Sequence, residues 1–586
     1  MPDTFDIRAI RHLPEALFRQ AELHPYQPAQ WRRKHGTYLP ITYMELATRV
    51  RRLASGLLRE GVEAGDRIAI LMENRPEWAI VDYAILSTGA VSVPLYCTYR
   101  PQDIAYVLND AGVGMAFVSG GNLLTHLLAA QQDCPGLRRI IALNPDDARL
   151  ARMEDLEEGE VLEAALQERM AQIDRNALAT IVYTSGTTAN PKGVMLSHGN
   201  ILANLDAIPD IIAFQRDEML LSFLPLAHAL ERMAGHFLPY SFGISVAFAE
   251  RPDTVAKNLG EARPTLMITV PRMLEVVRNR ILGQIGKQAA WKQRLFGLLL
   301  KLAARPQKPF WQRWLHRWLD RRIGDTVRQR FGGRLRMLIS GGAPLSQETG
   351  AFFHALGIPV IEGYGLTESA PLLTVNPIDA PRLGSVGRAI ANVELRLAED
   401  GEILARGPNI MQGYWRQPEA TRQAVDEDGW LHTGDIGRID EDGYLYITDR
   451  KKDLIVNSGG ENIAPQRIEA RLTGDALIDQ VVIYGDRKPY LVALVVPNEE
   501  SLRAWAKEQG LPDTDWASLC ASPLARKHVQ TRINALLAGF NPFEQIRRIF
   551  LLDEPLTIDN GMLTPTLKIK RRQVHAAFAD RFEALY

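Results

Sequence analysis

The chain has 586 residues and should fold into more than one structural unit, because single hydrophobic cores stop growing at about 250–300 residues. A net charge of −1 gives no general attraction to nucleic acid, so we expect no nucleic-acid partner. Three widely spaced cysteines exclude a disulfide framework and indicate a reducing, cytoplasmic compartment. The N-terminal residues lack the apolar core of a secretory signal, and no apolar run reaches the ~20 residues that span a bilayer.

The first half of the chain alternates helix-like and strand-like segments. Helical periodicity covers residues 43–59 and 76–89, and short apolar runs at 66–72 and 90–95 indicate strands. Further strands are predicted at 266–270, 336–340 and 360–362. Such alternation is typical of layered α/β folds with parallel strands, which bind ligands at the carboxyl ends of those strands.

Residues 180–200, TIVYTSGTTANPKGVMLSHGN, combine an apolar strand with a loop of small and hydroxyl residues that contains Lys192. We expect a helix over 201–208 directly behind this loop, capped by Ser197 or Asn200. A strand, a small-residue loop and a helix N-terminus in this order indicate a phosphate site. The loop is not that of P-loop enzymes, because Gly193 and not a hydroxyl residue follows the lysine.

Residues 291–330 carry eleven Lys and Arg against only Asp320 and Asp325. Helical spacing places one row of aromatic side chains and one row of basic side chains on separate faces, namely Trp311, Trp314 and Trp318, and Arg313, Arg317 and Arg321. Two interpretations are open. The tryptophans pack on the protein's own core, which we prefer, or the helix docks at a membrane interface.

Two glycine turns follow predicted strands, SGGAPL at 340–345 and EGYGLTES at 362–369. Such turns let a flat or charged ligand approach the backbone closely. Tyr364 could stack on a base. Thr367 and Glu368 could hold a hard cation, because Mg²⁺ takes one or two carboxylates together with phosphate oxygens.

From about residue 384 the pattern changes to short β segments with turn signals. Asp435 lies in a tight glycine turn, where a carboxylate can accept hydrogen bonds from two ribose hydroxyls. Beyond Arg450 we expect a smaller α+β unit, with strands at 480–485 and 490–497 and helices at 501–509 and 525–538. Lys568 lies in a basic segment, LTPTLKIKRR, near the end of the chain.

Together and in this order, these motifs resemble those of the adenylate-forming enzymes, which include acyl-CoA synthetases, firefly luciferase and peptide-synthetase adenylation domains. The resemblance covers roughly residues 15–580. LPLAHALER at 224–232, PTLMITVPRMLE at 264–275 and the lysine tail are similar to the long-chain fatty acyl-CoA synthetases. The resemblance implies an α/β fold with a large N-terminal domain of parallel-sheet subdomains and a β-rich subdomain (1–449), a hinge (450–452) and a small mobile α+β C-terminal domain (453–586).

The implied reaction has two steps. A fatty carboxylate attacks the α-phosphate of Mg·ATP to give an acyl-adenylate and pyrophosphate, and the thiolate of coenzyme A then displaces AMP. The implied ATP- and AMP-binding residues are Thr184, Ser185, Gly186, Thr187, Thr188, Lys192, Gly341, Gly342, Ala343, Glu362, Gly363, Tyr364, Gly365, Thr367, Asp435, Arg450 and Lys568. The implied catalytic residues are Lys568, Glu368, Thr184 and His228, of which Thr184 and Glu368 would hold Mg²⁺.

The resemblance also implies that the C-terminal domain rotates between the two steps. Lys452 would be the hinge residue, and rotation would bring the CoA-binding residues Ser458, Gly459, Gly460 and Glu461 to the site. The chain departs from the family pattern at Ala189, where the phosphate loop usually has glycine.

Three alternatives remain open: an acyl-AMP ligase that loads a carrier protein, an acyl-CoA ligase for medium-chain or other acids, and a silent lipid-binding homologue. The intact Thr184, Lys192, Glu368, Asp435 and Lys568 argue against the last. The oligomeric state is open, a homodimer included. Peripheral contact with the inner face of a membrane through residues 291–330 is one option.

Overall fold

The computed structural model describes residues 5–143, 150–184, 191–251, 254–305, 309–459, 461–512, 515–564 and 568–586. The strands are β1 (Pro28–Lys34), β2 (Thr37–Thr42), β3 (Arg67–Leu71), β4 (Val91–Pro94), β5 (Met115–Val118), β6 (Arg139–Ala142), β7 (Ala151–Arg152), β8 (Leu178–Thr184), β9 (Lys192–Ser197), β10 (Met219–Ser222), β11 (Ser245–Phe248), β12 (Leu266–Thr269), β13 (Met337–Ser340), β14 (Val360–Tyr364), β15 (Thr374–Val375), β16 (Arg388–Ala389), β17 (Glu394–Leu397), β18 (Glu402–Arg406), β19 (Gly413–Tyr414), β20 (Leu431–Ile439), β21 (Leu445–Arg450), β22 (Ile455–Val456), β23 (Asn462–Ile463), β24 (Ile478–Tyr484), β25 (Leu491–Pro497) and β26 (Ile546–Leu551).

The α-helices are α1 (Leu13–Leu23), α2 (Tyr43–Arg59), α3 (Pro76–Ser87), α4 (Pro101–Ala111), α5 (Gly121–Gln131), α6 (Met153–Glu157), α7 (Glu163–Ala171), α8 (His198–Ala207), α9 (Ala229–Arg232), α10 (Leu238–Phe242), α11 (Val255–Ala262), α12 (Pro271–Gly286), α13 (Ala290–Ala303), α14 (Phe310–Leu319), α15 (Asp325–Arg330), α16 (Gln347–Ala355), α17 (Pro418–Ala424), α18 (Pro465–Thr473), α19 (Glu499–Glu508), α20 (Trp516–Ala521), α21 (Pro523–Leu536), α22 (Arg571–Ala577) and α23 (Ala579–Glu583). A π-helical turn at Met233–Phe237 joins α9 to α10.

Two large sheets form the α/β part of the molecule. The first has the strand order β16-β15-β14-β13-β12-β10-β11-β1-β2, and the second has the order β19-β9-β8-β4-β3-β5-β6-β7. In the first sheet the six adjacent strands β14, β13, β12, β10, β11 and β1 are parallel to one another. In the second sheet the same holds for β8, β4, β3, β5, β6 and β7. The predicted α/β fold with parallel sheets is therefore confirmed.

One hydrophobic core joins the two sheets, and α2, α3 and α8 contribute to it. Helix α3 is buried along its whole length; most of its residues are apolar, and its buried Asp82 pairs with Arg232 at 2.6 Å. Alternate residues of the first sheet point to opposite faces. Leu266 and Met337 lie in the core between the sheets, whereas Met267 and Leu338 lie in a second core with α13, α15 and α16.

The segment after residue 384 is rich in β-structure, as the sequence predicts. Strands β17, β18, β20 and β21 form an antiparallel sheet. In the C-terminal unit β24 and β25 are antiparallel, and β26 adds to β25 in parallel. Helices α18 to α21 cover one face of this sheet, and α22 and α23 cover the other.

The helix predicted behind the phosphate loop is confirmed, but a strand that the sequence analysis did not predict separates it from Lys192. Strand β9 forms an antiparallel hairpin with β8, in which Thr184 pairs with Lys192. Gly193 permits this close pairing, since a Cβ there would lie 2.7 Å from Cγ2 of Ile181. The helix runs from His198 to Ala207, close to the predicted 201–208, and Ser197 is its cap as predicted. The expected helix N-terminus behind the loop is therefore about one strand length, roughly 20 Å, from Lys192.

The tryptophan row of α14 faces solvent. Leu319 is buried against the core of the first sheet, but large apolar side chains on the outer side of α13 and α14 are 43–78% exposed, namely Trp291, Phe310, Trp311, Trp314 and Trp318. We call this set the tryptophan surface. The preferred interpretation, that these tryptophans pack on the protein's own core, was wrong. Among the residues that the structure describes, no helix is long and apolar enough to span a bilayer.

Candidate active site

A cleft of about 1900 Å³ lies where the first sheet, the β-rich segment and the C-terminal unit meet. It is lined by all of the predicted catalytic and nucleotide-binding residues that the structure describes, namely Thr184, Lys192, His228, Gly341, Gly342, Ala343, Glu362, Gly363, Tyr364, Gly365, Thr367, Glu368, Asp435, Arg450 and Lys568. Ser185, Gly186, Thr187, Thr188 and Ala189 lie outside the described residues. The fold thus brings segments almost 400 residues apart to one cavity.

The two glycine turns form one wall of the cleft, at the carboxyl ends of β13 and β14. Gly342 has a φ of +79°, a conformation that glycine adopts without strain. At Gly365 a Cβ would lie 1.7 Å from the carbonyl oxygen of Pro371, so no side chain fits. Burial raises the pKa of Glu362 to about 8. This wall therefore exposes backbone and neutral groups, which suits a flat ligand.

Asp435 is buried beside Tyr364, and both of its carboxylate oxygens have partners. Tyr364 Oη donates a hydrogen bond of 2.7 Å to Oδ2, and Arg450 Nε lies 3.2 Å from Oδ1. Asp435 and Arg450 are paired across the β20–β21 hairpin. Burial raises the pKa of Asp435, and Arg450 and Tyr364 oppose that rise. The carboxylate is thus held in one orientation toward the cleft.

Lys568 enters the cleft from the C-terminal unit. Its backbone is anchored by Thr564, whose N–H donates to the Lys568 carbonyl at 2.8 Å and whose hydroxyl accepts from the Lys568 N–H at 3.0 Å. The surrounding walls of the cleft lower the pKa of this lysine to about 8; Arg450 acts in the same direction, and Asp435 and Glu368 oppose it. The ammonium group therefore lies near enough to Asp435 and Glu368 to interact with both carboxylates.

His228 lines the cleft together with a group of apolar side chains, which we call the apolar branch. Its Nδ1 accepts a hydrogen bond of 3.2 Å from the Leu230 N–H and so caps α9. Burial, with a contribution from Lys568, lowers the pKa of His228 to about 4, so the ring is neutral near pH 7. The side chains that line the branch are aliphatic or aromatic, among them Ile208, Ile211, Phe214, Leu220, Met233, Leu238, Leu266 and Met337. This branch suits a hydrocarbon chain whose polar end points toward Lys568.

The model of the AMP-binding enzyme family matches residues 17–415, and that of the AMP-binding enzyme C-terminal domain matches residues 452–586. The chain belongs to the AMP-binding enzyme family. This confirms the resemblance drawn from the motifs.

Named relatives of this family match almost the whole chain. The chain is 34% identical to a long-chain-fatty-acid–CoA ligase of Mycobacterium bovis, over 94% of this chain and 93% of that protein. It is 33% identical to long-chain-fatty-acid–CoA ligase 6 of Homo sapiens, over 96% of this chain and 83% of that protein. Among solved structures, the adenylation domain of a carboxylate reductase from Mycobacterium chelonae has the same fold, with a TM-score of 0.77 at 24% identity over 98% and 91% of the two chains.

Of the residues predicted to bind CoA in this AMP-binding enzyme, those that the structure describes, Ser458, Gly459 and Glu461, do not line the cleft. Ser458 and Glu461 are exposed in the turn between β22 and β23, where the N–H groups of Gly459 and Glu461 both donate to Asn457 Oδ1 at 2.9 Å. Gly460 lies outside the described residues. The predicted hinge residue, Lys452, borders the cleft. The arrangement therefore presents Lys568, and not the CoA segment, to the nucleotide site.

Tyr414 is a cleft residue that the sequence analysis missed. Its Oη donates a hydrogen bond of 2.8 Å to Glu368 Oε1, and Lys192 Nζ lies 4.7 Å from its ring centroid. No charge or glycine pattern marked this residue. Its only sequence signal is an aromatic pair, Tyr414 and Trp415, in a polar loop.

Glu368 and Thr184 offer a carboxylate and a hydroxyl to the cleft. Among the described residues, no group of three or more His, Cys, Asp or Glu side chains is placed to hold a metal ion. Mg²⁺ that arrives with a nucleotide needs only one or two carboxylates, since phosphates and water supply the other ligands. The residues present therefore fit a nucleotide-bound Mg²⁺.

Proposed function

We propose that this protein is an ATP-dependent long-chain fatty acid–CoA ligase. The observation that carries the proposal is the convergence of Lys192, Glu368, Asp435 and Lys568 on one cleft that also has an apolar branch. Membership of the AMP-binding enzyme family supports the use of ATP and CoA, and the names of the relatives support a long-chain fatty acid.

In the first step, a carboxylate oxygen of the fatty acid attacks the α-phosphorus of ATP, and pyrophosphate leaves. Both reactants are anions, so the site must supply positive charge and hydrogen-bond donors. Lys192, with the hydroxyl loop 184–188, holds the β- and γ-phosphates. Lys568 lies between the carboxylate and the α-phosphate and offsets their repulsion, while Asp435 accepts hydrogen bonds from the ribose hydroxyls.

The triphosphate requires a divalent cation in this proposal. Thr184 and Glu368 are the residues that would hold Mg²⁺, which neutralises charge on the departing pyrophosphate. His228 and the apolar branch orient the acid: the neutral ring adds no charge beside the carboxylate, and the branch takes the hydrocarbon chain.

In the second step, the CoA thiolate attacks the acyl carbonyl carbon and AMP leaves. We assign residues 1–449 to an N-terminal domain, 450–452 to a hinge and 453–586 to a mobile C-terminal domain. Rotation about Lys452 withdraws Lys568 and brings Ser458, Gly459, Gly460 and Glu461 to the cleft. Such a hinge motion assembles two sites in turn on one nucleotide.

Acid-dependent pyrophosphate release tests this function, measured with fatty acids of 2 to 20 carbons in the presence and absence of CoA. We expect release with long-chain acids and an acyl-CoA product when CoA is present. Activity confined to short or aromatic acids would contradict the long-chain assignment. Transfer of the acyl group to a carrier protein but not to CoA would show an acyl-AMP ligase, and no release with any acid would favour a silent homologue.

We further propose that the protein is cytoplasmic and docks peripherally on an anionic bilayer through the tryptophan surface. The exposed aromatic side chains are suited to the headgroup region. Arg313, Arg317 and Arg321 are exposed on the same helix and the turn that follows it, and among the described residues none of the three is in an ion pair. Unpaired arginines beside exposed tryptophans complement an anionic lipid surface.

Vesicle flotation tests the docking with phosphatidylglycerol–phosphatidylcholine vesicles and with phosphatidylcholine vesicles alone. We expect the protein to float with the anionic vesicles and the triple variant Trp311→Ala, Trp314→Ala, Trp318→Ala to remain in the soluble fraction. Tyr26→Ala is the matched control, because Tyr26 is 78% exposed elsewhere on the molecule. Equal flotation of the triple variant and the control would contradict the proposal.

A further inference from the structure

Tyr414 lies between two oppositely charged groups that the proposed mechanism needs at one end of the cleft. Its hydroxyl donates to the Glu368 carboxylate at 2.8 Å, and the Lys192 ammonium lies 4.7 Å from its ring centroid. Both contacts are attractive, since a carboxylate strengthens a hydrogen bond and a cation is drawn to an aromatic face.

The backbone of Tyr414 is attached to the phosphate hairpin. Strand β19 pairs antiparallel with β9, with Tyr414 opposite Val194. The Trp415 N–H donates to the Gly193 carbonyl at 2.7 Å, and the Tyr414 N–H donates to Thr421 Oγ1 at 2.9 Å. The aromatic ring is therefore fixed relative to the strand that carries Lys192.

Glu368 is attached to the same loop through its backbone. The Met411 N–H donates to the Glu368 carbonyl at 2.9 Å, three residues before Tyr414. The loop from Met411 to Tyr414 thus binds Glu368 at both its carbonyl and its carboxylate. No ion pair joins Lys192 to Glu368 among the residues that the structure describes, and the side chain of Tyr414 contacts both, Lys192 through its ring and Glu368 through its hydroxyl.

We infer that Tyr414 is a positioning residue for Mg·ATP, which keeps Lys192 and Glu368 apart and directed into the cleft. Without the ring, the two opposite charges could pair with each other. The lysine would then be withdrawn from the phosphates, and the carboxylate from the cation. Keeping them apart before the nucleotide binds is a form of preorganisation. The inference rests on the roles proposed above for Lys192 and Glu368.

Two variants separate the two contacts. Tyr414→Phe keeps the ring and loses the hydrogen bond, whereas Tyr414→Leu loses both. Three quantities are measured: the Kd of the non-hydrolysable analogue AMPPCP with Mg²⁺ by calorimetry, the Mg²⁺ concentration that gives half-maximal pyrophosphate release, and thioester formation from synthetic acyl-AMP and CoA. Tyr38→Phe is the matched control, because the Tyr38 hydroxyl donates to the Phe248 carbonyl at 2.9 Å, at the edge of the first sheet.

We expect Tyr414→Phe to raise the half-maximal Mg²⁺ concentration by about threefold to tenfold, as for the loss of one hydrogen bond to a charged group. Tyr414→Leu should also raise the Kd of Mg·AMPPCP by about tenfold or more. Thioester formation from acyl-AMP uses neither group and should change less than about twofold in both variants. Tyr38→Phe should match the unmodified protein in all three quantities.

The inference is overturned if Tyr414→Leu binds Mg·AMPPCP as tightly as the unmodified protein. It is also overturned if Tyr414→Leu slows the acyl-AMP step as much as pyrophosphate release, since that would indicate general structural damage. Lys192→Ala and Glu368→Gln show whether such a result concerns Tyr414 alone or also the roles proposed for Lys192 and Glu368. If neither variant weakens Mg·AMPPCP binding, the proposed roles are wrong, and the inference about Tyr414 is overturned with them.

Discussion

The hydroxyl of Tyr364 donates a hydrogen bond of 2.7 Å to Asp435, and this bond joins two separate parts of the cleft. Tyr364 ends a central strand of the first sheet, whereas Asp435 belongs to the antiparallel sheet of the β-rich segment. The bond leaves the Asp435 carboxylate oriented before any nucleotide arrives. In the proposed function, recognition of the ribose by Asp435 would therefore depend on a contact between two sheets.

Tyr364→Phe removes this hydrogen bond and keeps the ring. We expect the KM for ATP to rise by about fivefold to tenfold, because a buried carboxylate loses one of its partners, with a smaller effect on kcat. Steady-state pyrophosphate release measures both constants. Tyr444→Phe is the control, since the Tyr444 hydroxyl donates to the Ala380 carbonyl at 2.7 Å. Equal KM values for the two variants would contradict the role of the bond.

Lys568→Ala should abolish acyl-adenylate formation almost completely and spare thioester formation from supplied acyl-AMP. The reason is that the ammonium group is needed only while two anions react with each other. Single-turnover assays of the two steps measure the difference. An equal loss of rate in both steps would contradict the proposed rotation of the C-terminal domain between them.

Because the pKa of Lys568 is lowered to about 8, we expect the adenylation step to lose activity at alkaline pH. The charged form is needed, so kcat/KM for adenylation should fall as the pH rises through about 8, because kcat/KM reports the free enzyme. The groups that influence this lysine are Arg450, which lowers its pKa, and Asp435 and Glu368, which raise it. Lys568→Arg should have a lower rate but no fall near pH 8, since arginine stays charged. A fall at the same pH in Lys568→Arg would assign the limit to another group.

Glu348 links the C-terminal unit to the N-terminal part. Its carboxylate lies 3.3 Å from Arg278 on α12 and also pairs with Arg471 on α18. These ion pairs hold the arrangement that presents Lys568. Glu348→Gln should slow adenylation by up to about fivefold and leave the acyl-AMP step unchanged, since exposed pairs contribute about 0–1 kcal/mol each.

The effect of Glu348→Gln should also disappear in about 1 M salt, which screens exposed charges. Glu394→Gln is a matched control, because Glu394 pairs with Arg406 at 2.8 Å within the β-rich sheet, at similar exposure. Burst amplitudes of pyrophosphate release at low and high salt measure the effect. A loss of rate that persists in high salt would show that Glu348 acts in another way.

The raised pKa of Glu231 predicts how the free energy of unfolding depends on pH. Its side chain is fully buried, accepts a hydrogen bond of 2.6 Å from Ser222, and burial raises its pKa from 4.5 to about 8. The folded state therefore binds more protons than the unfolded state between about pH 4.5 and 8, so the free energy of unfolding falls as the pH rises across that window. Glu231→Gln should raise the thermal midpoint more at pH 8 than at pH 5. An equal change at both pH values would contradict the raised pKa.

The sequence predicted most of the scaffold because its signals are local. Helix α2 was predicted at its observed bounds, since its apolar periodicity and the Thr42 capping box agree. Strands β24 and β25 were predicted to within two residues. The hairpin at Lys192 was missed, because a strand of six residues beside a strong cap at Ser197 looks like the approach to a helix.

One feature of the site and one of the surface could not be predicted from local sequence patterns. The contacts of Tyr414 with Lys192 and Glu368 join positions 222 and 46 residues apart and depend on the pairing of β19 with β9. For the tryptophan row of α14, periodicity assigns the three side chains to one helix face but cannot tell whether other parts of the chain cover that face. Only the packing of α13 and α14 on the first sheet decides this.

The first sheet lies between the tryptophan surface and the apolar branch. Leu266 and Met337 line the branch, whereas the neighbouring Met267 and Leu338 pack in the core that includes α13 and α14. The hydrogen-bonded strands of this sheet would therefore separate a bilayer at the tryptophan surface from the apolar branch, and a fatty acid could not pass between these strands. An acid from that bilayer would have to reach the branch around the edge of the sheet. For a docked enzyme, the opening of the branch would then have to lie at an edge of the sheet and not on the face that meets the lipid.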